Sequence, residues 1–339
     1  MTKRQSSLAP DEKRLLCFHA DPRNLPPETL DWPERVFERI LDAAHDHGVL
    51  AIVWRKLRGP SRAAASSEGF RKRLARIEEE HTLGVGQSML LRHHAARISK
   101  LLREQGIPAQ IVKGPVFADH LYEHPSDRPF TDIDILADVD DLRRIGSVVE
   151  ACGFERDAKA WDNSERYQEY KWYLRGNDSI MVEVQGNMVH YPALRRRLSF
   201  GYAELKAASP GDEQSAVAML LIAVVHALAG HKFHRLLFAV DIAQAARRIT
   251  DPTEMVRAAE RLGAALEVRT ALSVTSRLFR DAEIEALARH FPEGPRARLG
   301  QRLMNEDTVL DAVPKTSRAS HLRRHGFRWL QMLGPGAHS

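Results

Sequence analysis

The run Thr131-Asp132-Ile133-Asp134-Ile135-Leu136 constrains this chain more than any other stretch. Polar and apolar residues alternate there with a period of two, the period of a strand and not of a helix. In a strand, side chains two apart share one face and lie about 6.6 Å apart along the backbone. Ile133 and Ile135 are then expected to face a core, with Asp132 and Asp134 projecting together on the other side. Two carboxylates on one face repel, so something positive must offset them. Ligands that are all oxygen suit magnesium or manganese and not zinc. Taken alone, such a run reads more readily as the solvated side of an edge strand.

Its surroundings reverse that balance. Residues 108–112 (PAQIV) follow a helix stop at Gly106 and read as a strand. Lys113-Gly114-Pro115 then turns the chain, and Pro115 suits the first turn of a helix running to about Tyr122. A helix start is where backbone amides hold a phosphate. Downstream, Val182-Glu183-Val184 sets a third carboxylate between β-branched residues of another expected strand. Three carboxylates on neighbouring strands beside such a helix start would make a two-metal phosphoryl-transfer site.

The same pattern reading gives the organisation of the chain. Residues 1–104 read as helical, with Asp31 and Pro33 opening one helix and a long helical run over 67–104. Residues 105–200 read as an α/β core: strands at 108–112 and 130–137, a helix over 138–151 and a hairpin of 167–174 with 179–185. Residues 201–295 read as a helical C-terminal domain, with helices at 213–229, 232–249, 253–279 and 281–290. Residues 296–339 read as a basic, loosely attached tail. The Arg195-Arg196-Arg197 run reads as a solvated face.

Two distant cysteines, Cys17 and Cys152, exclude a disulfide framework and fit a reducing cytoplasm. The most apolar stretch, 216–229, carries His226 and is too short to span a bilayer, so no membrane role is expected. A net charge of +5, mostly from arginine, leans toward anionic partners.

The segment KGPVFADHLYEHPSDRPFTDIDILAD resembles the signature of the uncharacterised nucleotidyltransferase family, a bacterial branch of the polymerase-beta-like nucleotidyltransferase superfamily. The resemblance covers roughly residues 30–245 and is strongest over 111–137. It implies an α/β nucleotidyltransferase core, a small mixed sheet with helices, embedded in mainly helical N- and C-terminal regions. It implies that Asp132, Asp134 and Glu183 are catalytic metal ligands for Mg²⁺ or Mn²⁺. Lys113 and Gly114 match the turn facing the triphosphate, and Arg128 matches the family's arginine. The wider superfamily has Gly-Ser or Gly-Gly at that turn. Family members often carry histidine two residues after the third carboxylate, where this chain has Gln185.

His226, His231, Arg235 and Asp241 match a second family pattern. Histidines five apart do not share an α-helical face, and HExxH is absent, so zinc is not expected there. With Lys232, these side chains are expected to receive the acceptor, with Asp241 as a general base. The activity implied is transfer of a nucleotidyl group from a nucleoside triphosphate to a peptide, small molecule or RNA, by in-line attack at the α-phosphorus. Two further readings stand beside it. One is a peptide-tailoring transferase that moves a sugar or phosphate onto a phosphorylated peptide. The other is a non-catalytic nucleotide- or RNA-binding module.

Overall fold

Five strands form one mixed sheet in the computed structural model: β1 (Ala109–Val112), β2 (Asp132–Ala137), β3 (Phe154–Arg156), β4 (Glu169–Leu174) and β5 (Asn177–Gln185). Their spatial order is β1-β2-β5-β4-β3. β2 and β5 run parallel, and every other neighbouring pair is antiparallel. The structure describes residues 8–25, 32–59, 67–157, 169–209, 214–311 and 317–333. Asp31, the first residues of the expected strand 167–174 and of the expected helix 213–229, and the end of the expected tail from 334 lie outside them.

Alternation on the strands divides the sheet between two cores. Ile133, Ile135, Val182, Val184 and Trp172 belong to a smaller core with Ile98 of the helix Glu68–Glu104 and Ile145 of the helix Leu142–Ala151. On the other face, Val112 and Leu136 join the large helical core, which holds Val217–Val225 and most of the helix Leu236–Ala246. One face is therefore mainly apolar, with Arg156 at its edge. The other is apolar at one end and carries the carboxylates at the other.

The hairpin forms with a shift. β5 begins at Asn177, immediately after a two-residue turn in which Gly176 takes φ 74°. β3, only three residues long, is too short for periodicity to reveal. The helix Ala216–Val225 starts where Ser215 Oγ accepts the Ala218 amide at 3.1 Å, and it is buried nearly all round. The expected helix over 253–279 is two helices, Pro252–Arg261 and Ala265–Phe279, parted at Gly263 with φ 67°.

Two expectations are corrected. The tail is not loosely attached over its described part. The helices Pro295–Leu303 and Arg318–Met332 dock on the large core through Met304, Phe327 and Leu330, all at most 6% exposed. The arginine run is not a solvated face either, because Arg195 and Arg197 are both buried. Arg195 donates to the carbonyls of Val189 and His190 at 2.7 and 3.0 Å, and Arg197 pairs with Glu267. The run closes the short helix Pro192–Arg195 in a tight turn that leaves Arg196 alone of the three exposed, so a basic triplet need not be basic outward.

Candidate active site

Asp134 and Glu183 are register partners on the parallel strands β2 and β5. Partners in a parallel pair point to the same side, so Asp132, Asp134 and Glu183 share one face of the sheet. Lys171 of β4 stands opposite Glu183 and extends this face; its ammonium lies 3.1 Å from Glu183 and 3.3 Å from Glu169.

The turn after β1 brings a second ammonium in. Lys113 takes φ 58° and ψ −138°, which reverses the chain and lets its Nζ reach Asp134 Oδ1 at 2.8 Å. Gly114 follows at φ 22°, and a Cβ there would lie 3.3 Å from the Asp132 carbonyl oxygen. A glycine is required for the start of the helix Gly114–Leu121 to pass this close to β2.

Burial sets the electrostatics. It raises the Asp132 carboxyl to about 6, with Asp134 adding and Lys113 and Arg128 opposing. It raises Glu183 to about 7, with Asp134 and Glu169 adding and Lys113 and Lys171 opposing. Burial pulls the Lys113 ammonium down, but the charge of Asp134, its hydrogen bond, and Glu183 outweigh burial and raise it. Gln185, fully buried on the same face, has an amide oxygen with no partner. Its nitrogen lies 3.5 Å from Asp134 Oδ1. Carboxylates and one orphaned amide oxygen are donors that would suit a hard cation, and two lysines supply positive charge beside them. As placed, no three such side chains among the described residues converge as a ready chelate.

Arg128 and Asp241 are brought together. Arg128 is buried and donates to Asp241 through Nε at 3.2 Å and Nη2 at 2.9 Å, while Tyr122 donates to Asp241 Oδ1 at 2.6 Å. The Arg128 charge is still felt at Asp132. Arg55 pins the preceding turn by a two-pronged pair with Asp127 at 2.8 and 2.7 Å. Asp241 therefore sits next to the site with both oxygens already engaged.

His226 and His231 meet for a reason that α-helical spacing hides. The segment His226–Gly230 is a π turn, and the His231 amide bonds the His226 carbonyl at 3.0 Å, five residues back. Their rings lie 4.5 Å apart, and His190 stands 5.9 Å from His231. Burial, then the nearby Lys113 charge, depresses all three, His231 to about 3. The imidazoles are therefore neutral at pH 7. Lys232 flanks them, and Arg235 is exposed at the start of the helix Leu236–Ala246. Sequence reading missed His190, which lies in a loop without periodicity. It also missed Lys171, which pairing the expected hairpin residue by residue would have set against Glu183.

The uncharacterised nucleotidyltransferase description matches residues 33–280 of this chain, a span that holds every carboxylate and basic side chain just described. The chain belongs to the uncharacterised nucleotidyltransferase family. No curated protein and no solved structure matches it. The five-stranded mixed sheet among helices is compatible with that family's α/β core. Among the described residues no helix is long and apolar enough to cross a membrane.

Proposed function

We propose that this chain is a divalent-metal-dependent nucleotidyltransferase that acts in the cytoplasm. The observation that carries the reading is one polar sheet face. Asp132, Asp134 and Glu183 share it beside the Lys113-Gly114 turn, in a chain of a nucleotidyltransferase family. These three carboxylates would hold Mg²⁺ or Mn²⁺, which when bound supplies positive charge to the attacking and leaving oxygens.

The protein's own groups do the rest. Lys113 exchanges its contact with Asp134 for a phosphate oxygen, and the start of the helix Gly114–Leu121 adds the positive end of its dipole. Arg128 contributes positive potential toward Asp132, and Asp241 with Tyr122 fixes its position. Asp241 is thereby a positioning residue, not the general base. An acceptor oxygen bonds to the α-phosphorus of the nucleoside triphosphate. The bond from that phosphorus to its bridging oxygen breaks, pyrophosphate leaves with the electron pair, and the acceptor proton passes to solvent.

Isothermal titration with ATP, GTP, CTP and UTP tests this. At least one should bind with Mg²⁺ or Mn²⁺ and not without, and Zn²⁺ should not substitute, since every proposed ligand is oxygen. Equal affinity with and without the divalent ion would overturn it.

A further inference from the structure

Beside the histidine trio, and sharing His190 with it, lies a cavity of about 270 Å³. His190 belongs to both, since it feels the charges of Lys113 and Asp134 and also lines this cavity. Its polar and aromatic lining is His190, Tyr191, Lys232, His325, Arg328 and Trp329, and none of its lining residues is acidic. Arg328 feels the charge of Glu267, but that carboxylate lies outside the lining and is paired with Arg197, so an anion in the space would relieve the crowding of positive charge.

The cations there are held in place. Arg328 is 6% exposed and its Nη2 donates to the Leu228 and Ala229 carbonyls at 3.2 and 2.7 Å, whereas its buried Nη1 has no partner. Its guanidinium stands 5.6 Å from the Tyr191 ring centre. Lys232 and Phe233 follow the π turn with φ 54° and 51°, two consecutive side chains in the left-handed region. Each costs on the order of 1 kcal/mol, offset here because Phe233 is fully buried. That pair fixes where Lys232 leaves the backbone. At the mouth, the Tyr191 and Trp329 rings are 45% and 66% exposed.

We propose that this cavity binds the acceptor, and that the acceptor is an organic phosphate monoester whose ring or chain lies against Tyr191 and Trp329. The proposal rests on the transferase reading and names the substrate class that reading leaves open. Two full cations, two imidazoles and no carboxylate suit a dianion better than a single carboxylate. The donor's phosphates have their own place at the Lys113 turn, which is not part of this lining. Four of the nine lining residues come from the helix Arg318–Met332, beyond the family segment 33–280 that carries the donor chemistry. An acceptor seated there approaches the carboxylates past His190 and His231, which supplies the positioning that in-line attack needs.

Calorimetry on the full chain decides it, with phenyl phosphate as probe and phenol and pyrophosphate as controls. Phenyl phosphate should bind and phenol should not. Lys232→Asn, which keeps a residue tolerant of the left-handed conformation, and Trp329→Ala, which removes an exposed ring, should each weaken phenyl phosphate about tenfold. Both should leave Mg²⁺-ATP binding within about twofold of wild type, inside the scatter of distant sites. Arg328→Gln should weaken the probe further, with circular dichroism checking that the fold survives. If Mg²⁺-ATP binds but phenyl phosphate does not, or neither Lys232→Asn nor Trp329→Ala changes its affinity, the acceptor site is wrong and the transferase reading stands. If pyrophosphate binds in place of phenyl phosphate and Lys232→Asn weakens ATP, the cavity serves the donor and the proposal falls. If no nucleotide binds while phenyl phosphate does, the transferase reading fails, and the proposal as an acceptor site falls with it.

Discussion

Lys113 holds a backbone conformation that side chains avoid, at a cost of order 1–3 kcal/mol, and the return is an ammonium set against Asp134. Around it, charge governs which substitutions are tolerated. Asp132→Asn removes one member of a repelling group, so transfer should be abolished while metal-free melting temperature stays level or rises slightly. A marked fall in calorimetric stability without metal would count against the metal-site role. Asp241→Ala acts in the opposite sense, because it leaves Arg128 buried and unpaired. Urea denaturation should show a loss of about 3–5 kcal/mol. Asp241→Asn, which still accepts from Tyr122 and Arg128, should lose less. If Asp241→Ala instead kept full stability and lost only turnover, Asp241 would be the base and not a support.

Helix ends and turns decide which of these side chains meet. The π turn at His226–Gly230 does what an α-turn cannot, placing residues five apart on one side. A second junction is His47, which ends the helix Glu34–Asp46. Its buried Nδ1 accepts the Leu236 amide at 3.2 Å, and its carbonyl accepts the Leu237 amide at 3.2 Å. This ties the N-terminal helices to the helix beneath the site. Burial lowers the His47 pKa from 6.5 to about 4, against a weaker opposing bond to the Leu310 backbone. The fold therefore holds a neutral ring, and the unfolded chain takes up the proton first as pH falls. Stability from this group is full above about pH 6.5 and is lost by about pH 4, a change of about 3 kcal/mol. Chemical denaturation at several pH values should show that slope in wild type. His47→Asn, which keeps the acceptor but does not titrate, should flatten it by that amount. An identical slope in the variant would refute the assignment.

Across the molecule, the sheet is wedged between two cores, and the polar ends of β2 and β5 are the part that neither core covers. The C-terminal helix belongs to this assembly. Phe327 is 2% exposed within the large core, so Phe327→Ala should cost about 3–5 kcal/mol by thermal or chemical denaturation. A truly loose tail would lose almost nothing. The same variant should weaken any ligand of the cavity walled by Arg328 and Trp329, because it unseats the helix that carries them.

Short-range information was enough for part of this protein. Alternation over Thr131–Leu136 assigns Ile133 and Ile135 to one face and the aspartates to the other, since a strand's period is a property of the backbone. Lys113-Gly114-Pro115 marks a turn into a helix for equally local reasons, namely a glycine's freedom and a proline's fixed φ. The Arg128–Asp241 pair joins residues 113 apart in the chain. The burial of Arg197 against the Gly263 carbonyl and Glu267, and the docking of the tail, depend likewise on which surfaces pack together. No local pattern encodes those choices. The π turn lies between the two cases: its residues are contiguous, but the left-handed Lys232 and Phe233 that complete it are held by burial in a core the sequence does not display. The strand and the turn were settled within a few residues. The partners of each charge, and the wall facing the carboxylates, were decided only when the helices closed over the sheet.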